Sequence, residues 1–191
     1  MNCLTLGIIG TAGRGEDREK LSLEKFNLMK VIAGGFIRAN NIDRLVSGGA
    51  AWADSIVVQA YLRNFISHLN LELPCEFDMT EGRYKTEDKS GFTSNLYHQK
   101  FQFDTGINSL GEIKTAIEKG AVVKAGGGFF VRNGRVAERA DILLAFTFGS
   151  GARLKDGGTA DTVRKFLKTK DKSNAWHVNL NDMKLYQGAE V

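Results

Sequence analysis

The chain has 191 residues, 42% of them hydrophobic and 25% charged, with 26 basic and 22 acidic side chains and a formal net charge of +4. That length suits one domain whose core needs no disulfide or metal staple, and the composition excludes disordered, collagen-like and coiled-coil classes. The small positive surplus favours an anionic partner weakly and argues against nucleic acid as that partner.

Residues 4–9 are an apolar run ending in glycines and read as a buried strand. Residues 19–38 place Leu23, Phe26, Met29, Ile32 and Phe36 at helical spacing. A second short strand covers 44–47, closed by Gly48 and Gly49, and a helix follows over 52–66. Residues 75–79 read as a third strand. This β-α-β-α-β order, with connections too long for hairpins, predicts an open, mostly parallel α/β sheet with helices on both faces. Residues 81–103 are polar and aperiodic, and read as an insertion in the single domain. They form a solvated loop over the strand ends, or else a ligand lid or an oligomer contact. Helices are expected over 109–119, 129–139 and 159–168, and strands over 141–146 and 175–178. The basic stretch 164–172 reads as a solvated helix end.

The chain holds 22 glycines against one proline. They cluster between apolar runs, which permits tight turns and close approach of backbone to a ligand. Four clusters fall at strand-to-helix turns. The first runs from Gly7 through Gly10, Thr11, Ala12, Gly13 and Arg14 to Gly15. The second is Ser47-Gly48-Gly49-Ala50-Ala51-Trp52-Ala53-Asp54. Gly126–Gly128 make the third, and Gly157-Gly158-Thr159-Ala160-Asp161-Thr162 the fourth. In such sheets ligands bind outside the carboxyl ends of the strands, where helix N-termini present free N–H groups that suit phosphate. The first turn reads GxxGxxGxG rather than GxGxxG, and GxxxxGK[ST] is absent. A hydride-transfer enzyme and a P-loop NTPase are therefore disfavoured. Cys3 and Cys75 form no CxxC and fit a reducing, cytoplasmic setting. No apolar run reaches the roughly 18 residues of a membrane span, and the start lacks an export-signal pattern.

Two segments carry a resemblance. One is VSGGAAWAD, ending at Asp54. The other runs from Val131 through Arg132, Asn133 and Ala140-Asp141 to Phe146, and continues in Gly158-Thr-Ala-Asp-Thr-Val163. Together they resemble the SLOG superfamily of Rossmann-like domains. It includes the DprA (Smf) proteins, the Lonely-Guy phosphoribohydrolases and the YspA-like proteins, whose branch is the nearest. The resemblance implies a pocket for a nucleotide-derived molecule at the carboxyl edge of the sheet. It places Gly10 and Thr11 at the first turn and Ser47, Gly48, Gly49 and Asp54 at the second. Gly158, Thr159 and Asp161 match the phosphate-binding turn, and Arg132 matches the arginine that precedes the family's Ala-Asp. The phosphoribohydrolases carry PGGxGTxxE, and here Thr162 stands at the Glu position. Threonine supplies no general acid or base near neutral pH.

The expected ligand set is Gly10, Thr11, Ala12, Gly13, Arg14, Ser47, Gly48, Gly49, Ala50, Asp54, Arg132, Asn133 and the turn from Gly157 to Asp161. Arg132, Arg135 and Arg139 share one helix face, as a guanidinium fork on phosphate or as a solvated charged face. Arg153 in its Gly-rich loop is a further candidate cation, and Asn133 suits a ribose or base. Trp52 suits core packing better than base stacking. His68, His98 and His177 lack metal spacing, so neither a metal nor a cofactor is expected. The expected function is binding of an ADP-ribose derivative, a cyclic nucleotide signal or a nucleoside monophosphate. The protein would act as a sensor or a sequestering sponge, for instance in phage–host conflict, and as a homo-oligomer. One alternative is a nucleotide N-glycosidase or hydrolase using Asp161, Asp78 or Glu138. The other is a DprA-like binder of single-stranded DNA.

Overall fold

The computed structural model describes residues 4–191; Cys3 lies outside them. The chain forms β1 (Thr5–Gly10), β2 (Arg44–Ser47) and β3 (His68–Leu73), then a two-stranded ribbon of β4 (Phe77–Asp78) and β5 (Arg83–Tyr84). β6 (Val122–Ala125), β7 (Ile142–Thr147), β8 (Ala175–Asn179) and β9 (Lys184–Gln187) complete the strands. The main sheet has seven strands in the order β6-β3-β2-β1-β7-β8-β9. All pairs are parallel except β8 with the edge strand β9. This is the open, Rossmann-like α/β architecture expected. The chain winds outward from β1 to β6 and then returns to the other side of β1 at β7. The reversal opens a crevice at the carboxyl ends of β1 and β7, the usual ligand position in such sheets.

Among the described residues six α-helices flank the sheet: α1 (Leu23–Ala39), α2 (Ala53–Leu62), α3 (Lys89–Thr105), α4 (Ser109–Glu118), α5 (Gly128–Arg139) and α6 (Gly158–Phe166). Strand alternation divides the core in two. Leu6, Ile8, Leu45, Leu71 and Phe146 pack with Phe26 and Met29 of α1, Val57 of α2, Phe101 of α3 and Ile113 of α4. Ile9, Val46, Leu143 and Ala145 pack on the opposite face with Val136 of α5 and Val163 and Phe166 of α6. β7 is buried at all six positions, as a central parallel strand with both faces covered should be. No helix among the described residues is long and apolar enough to cross a membrane.

Three expectations are corrected. The third strand is β3, not residues 75–79, which run from a buried Cys75 into the β4–β5 ribbon. β3 reads HLNLEL, and its polar alternation hides a buried strand. Glu72 faces α5, where Arg135 Nε and Arg139 Nε each donate to one of its carboxylate oxygens at 2.8 Å. Residues 81–103 are not a solvated loop, because most of them form β5 and α3. Asp88 caps α3 by accepting from Ser90 N at 2.7 Å, and Gly106 ends it in the left-handed conformation. The buried face of α3 is largely polar, so apolar periodicity does not reveal it. Asn95 exchanges two hydrogen bonds with the Tyr84 backbone, and Thr105 Oγ1 donates to Phe101 O. The helices expected over 19–38 and 52–66 are shorter. Gly15–Lys20 is a 3-10 turn ahead of the Ser22 cap, and α2 stops at Leu62 before a turn with Asn64 at positive φ.

Candidate functional site

A cavity of about 210 Å³ opens at the carboxyl ends of β1 and β7. Gly10, Thr11, Ala12 and Arg14 reach it from the first turn, Ala50 and Asp54 from the second, Arg132 and Asn133 from α5, and Gly157, Gly158 and Thr159 from α6. Turns that are distant in sequence thus converge, as the sheet order requires. Gly13, Ser47, Gly48, Gly49, Ala160 and Asp161 stand behind this lining.

The second turn is built around Asp54, which is buried in the first turn of α2. Its Oδ2 accepts from Ser47 Oγ at 3.1 Å, Gly48 N at 2.9 Å and Ala50 N at 3.3 Å. Arg132 Nη1 lies 3.7 Å from the same oxygen and donates to Gly48 O at 3.0 Å. Burial pushes the Asp54 carboxyl up and the Arg132 guanidinium down, and each charge opposes the other's shift. Arg132 Nε is buried without a hydrogen-bond partner. Arg132 is half-buried at the cavity wall, so its guanidinium is a place for an anion's oxygen. Trp52 precedes α2 at φ +62, and its buried ring meets Phe26 and Phe101 edge-on. It packs the core and does not line the cavity.

The first turn is braced through Asp17, whose Oδ2 accepts from Thr11 Oγ1 at 2.9 Å and whose Oδ1 accepts from Lys155 Nζ at 2.6 Å. Across the cavity α6 begins after Gly157, at φ +139 and ψ −158, a conformation open to glycine. No side chain caps this terminus. The N–H groups of its first turn therefore point their dipole end at the cavity. Arg14 is exposed, and its guanidinium lies over the Tyr97 and Phe129 rings.

Several candidates have other work. Asn133 Nδ2 donates to Gly158 O at 3.2 Å and to Asp161 Oδ2 at 2.9 Å, tying α5 to α6 while bordering the cavity. Asp161 Oδ2 also accepts from Lys165 Nζ at 2.7 Å. Burial opposes its charge, but these donors hold its carboxyl below the usual range. Thr162 lines the cavity and returns its hydroxyl to Gly158 O at 2.9 Å. Asp78 lies away from the cavity in the β4–β5 ribbon. It accepts from Glu81 N and Thr80 N, which lower its pKa. Glu138 is exposed near the end of α5. Arg135 and Arg139 form no phosphate fork, since both clamp Glu72; Arg135 is largely covered there, whereas Arg139 stays exposed to solvent. Arg153 does not line the cavity; its backbone bonds to Ser150.

Sequence reasoning misses the wall supplied by α3 and α5, namely Ser94, Tyr97, His98 and Phe129, together with Asp17, Thr147 and Lys155. The Asp88 and Gly106 helix boundaries were the available signal for α3. His98 is buried and braces that wall. A carbonyl only accepts, so His98 Nε2–H donates to Gly49 O at 3.0 Å, and Nδ1 accepts from Ser109 Oγ at 2.8 Å. Burial pushes its pKa down to about 4, so it is neutral near pH 7.

Fold and site together define a Rossmann-like α/β protein with a cation-lined crevice at its topological switch point. No protein-family model matches the chain, and no solved structure matches it. It is 37% identical over 181 residues to "Uncharacterized protein R261" of Acanthamoeba polyphaga mimivirus, a match spanning 91% of this chain and 96% of that protein. The chain belongs to the family of this viral protein.

Proposed function

We propose that the protein is a SLOG-type domain that binds a nucleotide-derived small molecule and holds it intact, as a sensor or sponge. The observation that carries this reading is one cavity that joins the uncapped N-terminus of α6 to Arg132 with its unpartnered Nε. Arg14 and Lys155 add cationic charge at the same cavity. A phosphate would sit on the α6 N–H groups and bridge to Arg132.

Binding is favoured over turnover because the carboxylates lining the cavity are engaged. Asp17 holds Thr11 and Lys155, Asp54 holds the second turn, and Asp156 pairs with Arg164 at 2.6 Å. Asp161 is occupied by Asn133 and Lys165, and Asp78 and Glu138 lie elsewhere. The bounded crevice suits a small molecule better than a strand of DNA, which needs an extended basic groove. Cys75, a buried thiol with no disulfide partner among the described residues, fits a reducing compartment such as the cytoplasm.

The protein acts as a homodimer in this reading, paired through the outer face of α3. There Phe92, Leu96, Gln99 and Phe103 are all exposed. Their spacing of four, three and four residues reads the same in both directions. An antiparallel two-fold pair would therefore set Phe92 against Phe103 of a second copy, as an isologous contact demands.

The test is retention. The purified protein is incubated with ADP-ribose derivatives, cyclic nucleotides and nucleoside monophosphates, freed of unbound ligand and denatured. The released molecules are identified by mass spectrometry. An intact nucleotide in proportion to protein is expected, with a Kd at or below about 1 μM, about −8 kcal/mol. Free base or released phosphate accumulating beyond one per chain would make it an enzyme. Retention of nothing would remove the nucleotide reading.

A further inference from the structure

The phosphate-facing groups account for one side of the cavity and leave the aromatic side unexplained. Tyr97 from α3 and Phe129 from the first turn of α5 both line it. The Arg14 guanidinium lies over both rings, 5.1 Å from the Tyr97 centroid and 5.5 Å from that of Phe129. Arg14 sits between Gly13 and Gly15, both at positive φ, and no carboxylate pairs with it among the described residues. Arg132, by contrast, is fixed by Gly48 O and Asp54, and its guanidinium lies 5.6 Å from the centroid of the same Phe129 ring.

A guanidinium is planar, delocalised and weakly hydrated, and it stacks on aromatic faces as a nucleobase does. A seat that takes one planar group in this way suits another of similar shape. Arg14 is exposed and held at that seat by cation–π attraction, with no side-chain hydrogen bond among the described residues, so little holds it there. It also stands at the same cavity as the uncapped α6 terminus, where a phosphate would attract it.

We infer that Tyr97 and Phe129 form the seat for the ligand's planar base, and that Arg14 fills this seat in the free protein. When a base-bearing phosphate enters, Arg14 yields the rings to the base and turns its charge onto the phosphate. This rests on the nucleotide reading of the cavity and narrows it to ligands that carry both a base and a phosphate. Arg14 then acts as a specificity residue, because a phosphate without a base leaves the seat to the arginine. A base without a phosphate must displace the arginine with no charge to receive it.

The test uses titration calorimetry with three probes: AMP, ribose 5-phosphate and adenosine. AMP should bind roughly tenfold or more tightly than ribose 5-phosphate, the scale of one base stacked on an aromatic side chain. Tyr97→Ala should remove most of that difference by weakening AMP alone, and Tyr97→Phe should restore it. Arg14→Ala should act with opposite signs, weakening AMP while tightening adenosine, which no loss of folding would produce. Equal affinity for AMP and ribose 5-phosphate would overturn the aromatic seat with the phosphate site intact. Weakening of all three probes by Arg14→Ala would overturn the exchange. Failure of every probe to bind, together with nothing retained from the wider ligand set, would overturn the nucleotide reading itself.

Discussion

Gly48 and Gly49 are neighbours with separate duties. A Cβ on Gly48 would fall on the Arg132 guanidinium, so this glycine makes room for the cation whose Nη1 its own carbonyl receives. Gly49 has φ +66, and a Cβ there would meet Leu73 and the Tyr84 hydroxyl, which itself donates to Gly49 O at 2.6 Å. Gly48→Ala should therefore displace Arg132 and weaken nucleotide binding by roughly tenfold or more, the scale of a lost charge-assisted hydrogen bond. Gly49→Ala should act on folding, lowering stability by about 1–3 kcal/mol through backbone strain, with the overlap on Leu73 and Tyr84 adding to the loss. Calorimetry on the first variant and urea unfolding of both would separate the two roles. Equal binding losses at both positions would mean that Arg132 is not what Gly48 accommodates. Arg132→Ala is a harsher change, because it strands Asp54 as a buried charge. It should destabilise the fold by about 3 kcal/mol besides weakening binding.

At the level of elements, α3 is where sequence and structure part most. Its inner face supplies the cavity wall and its outer face the apolar stripe. Phe103 is 84% exposed and Phe92 62%, large values for side chains of this size. Phe103→Asp should leave the circular dichroism of the chain unchanged and convert a dimer to a monomer in sedimentation. A wild-type chain that sediments as a monomer at micromolar concentration would remove the α3 pairing. The helix is hidden because its buried face is small and polar apart from Phe101, and Asn95, His98 and Thr105 are each satisfied by a hydrogen bond rather than by apolar contact. β3 escapes apolar patterning for a related reason, since Glu72 is buried only because two arginines of α5 cover its charge. β1, β2, β7 and β8 were legible because parallel strands buried on both faces read as apolar runs. The Gly-rich turns were legible because positive φ and close packing leave their mark on composition. Tyr97 and Phe129 left no such mark. Their place at the cavity depends on an α3 that periodicity does not show and on the return of α5 beside β1.

For the molecule as a whole, the two-sided core fixes the crevice, and His98 ties its wall to the second turn. That tie makes global stability depend on pH. Burial depresses His98 to about 4, whereas the unfolded chain accepts the proton below about pH 6.5. Between those limits the unfolded state binds more protons than the folded one, so stability falls as pH falls. The full window corresponds to about 3 kcal/mol, of which about 2 kcal/mol should be lost between about pH 7 and pH 5. His177, buried against Gly151 O and Thr147 and also lowered by that burial, adds a loss of the same sign. Asp54 and Glu112, raised by burial, titrate the other way and oppose it. Comparison with His98→Gln isolates one group, because glutamine can still donate to Gly49 O but takes up no proton. Urea unfolding of both chains across this range should give a shallower pH slope for His98→Gln, even if its stability near pH 7 is lower. Parallel slopes would mean that His98 titrates alike in the folded and unfolded chains, taking up its proton in place as pH falls through about 6.5. Below that pH the crevice wall would then be held by an ion rather than by a neutral imidazole between a hydroxyl and a carbonyl.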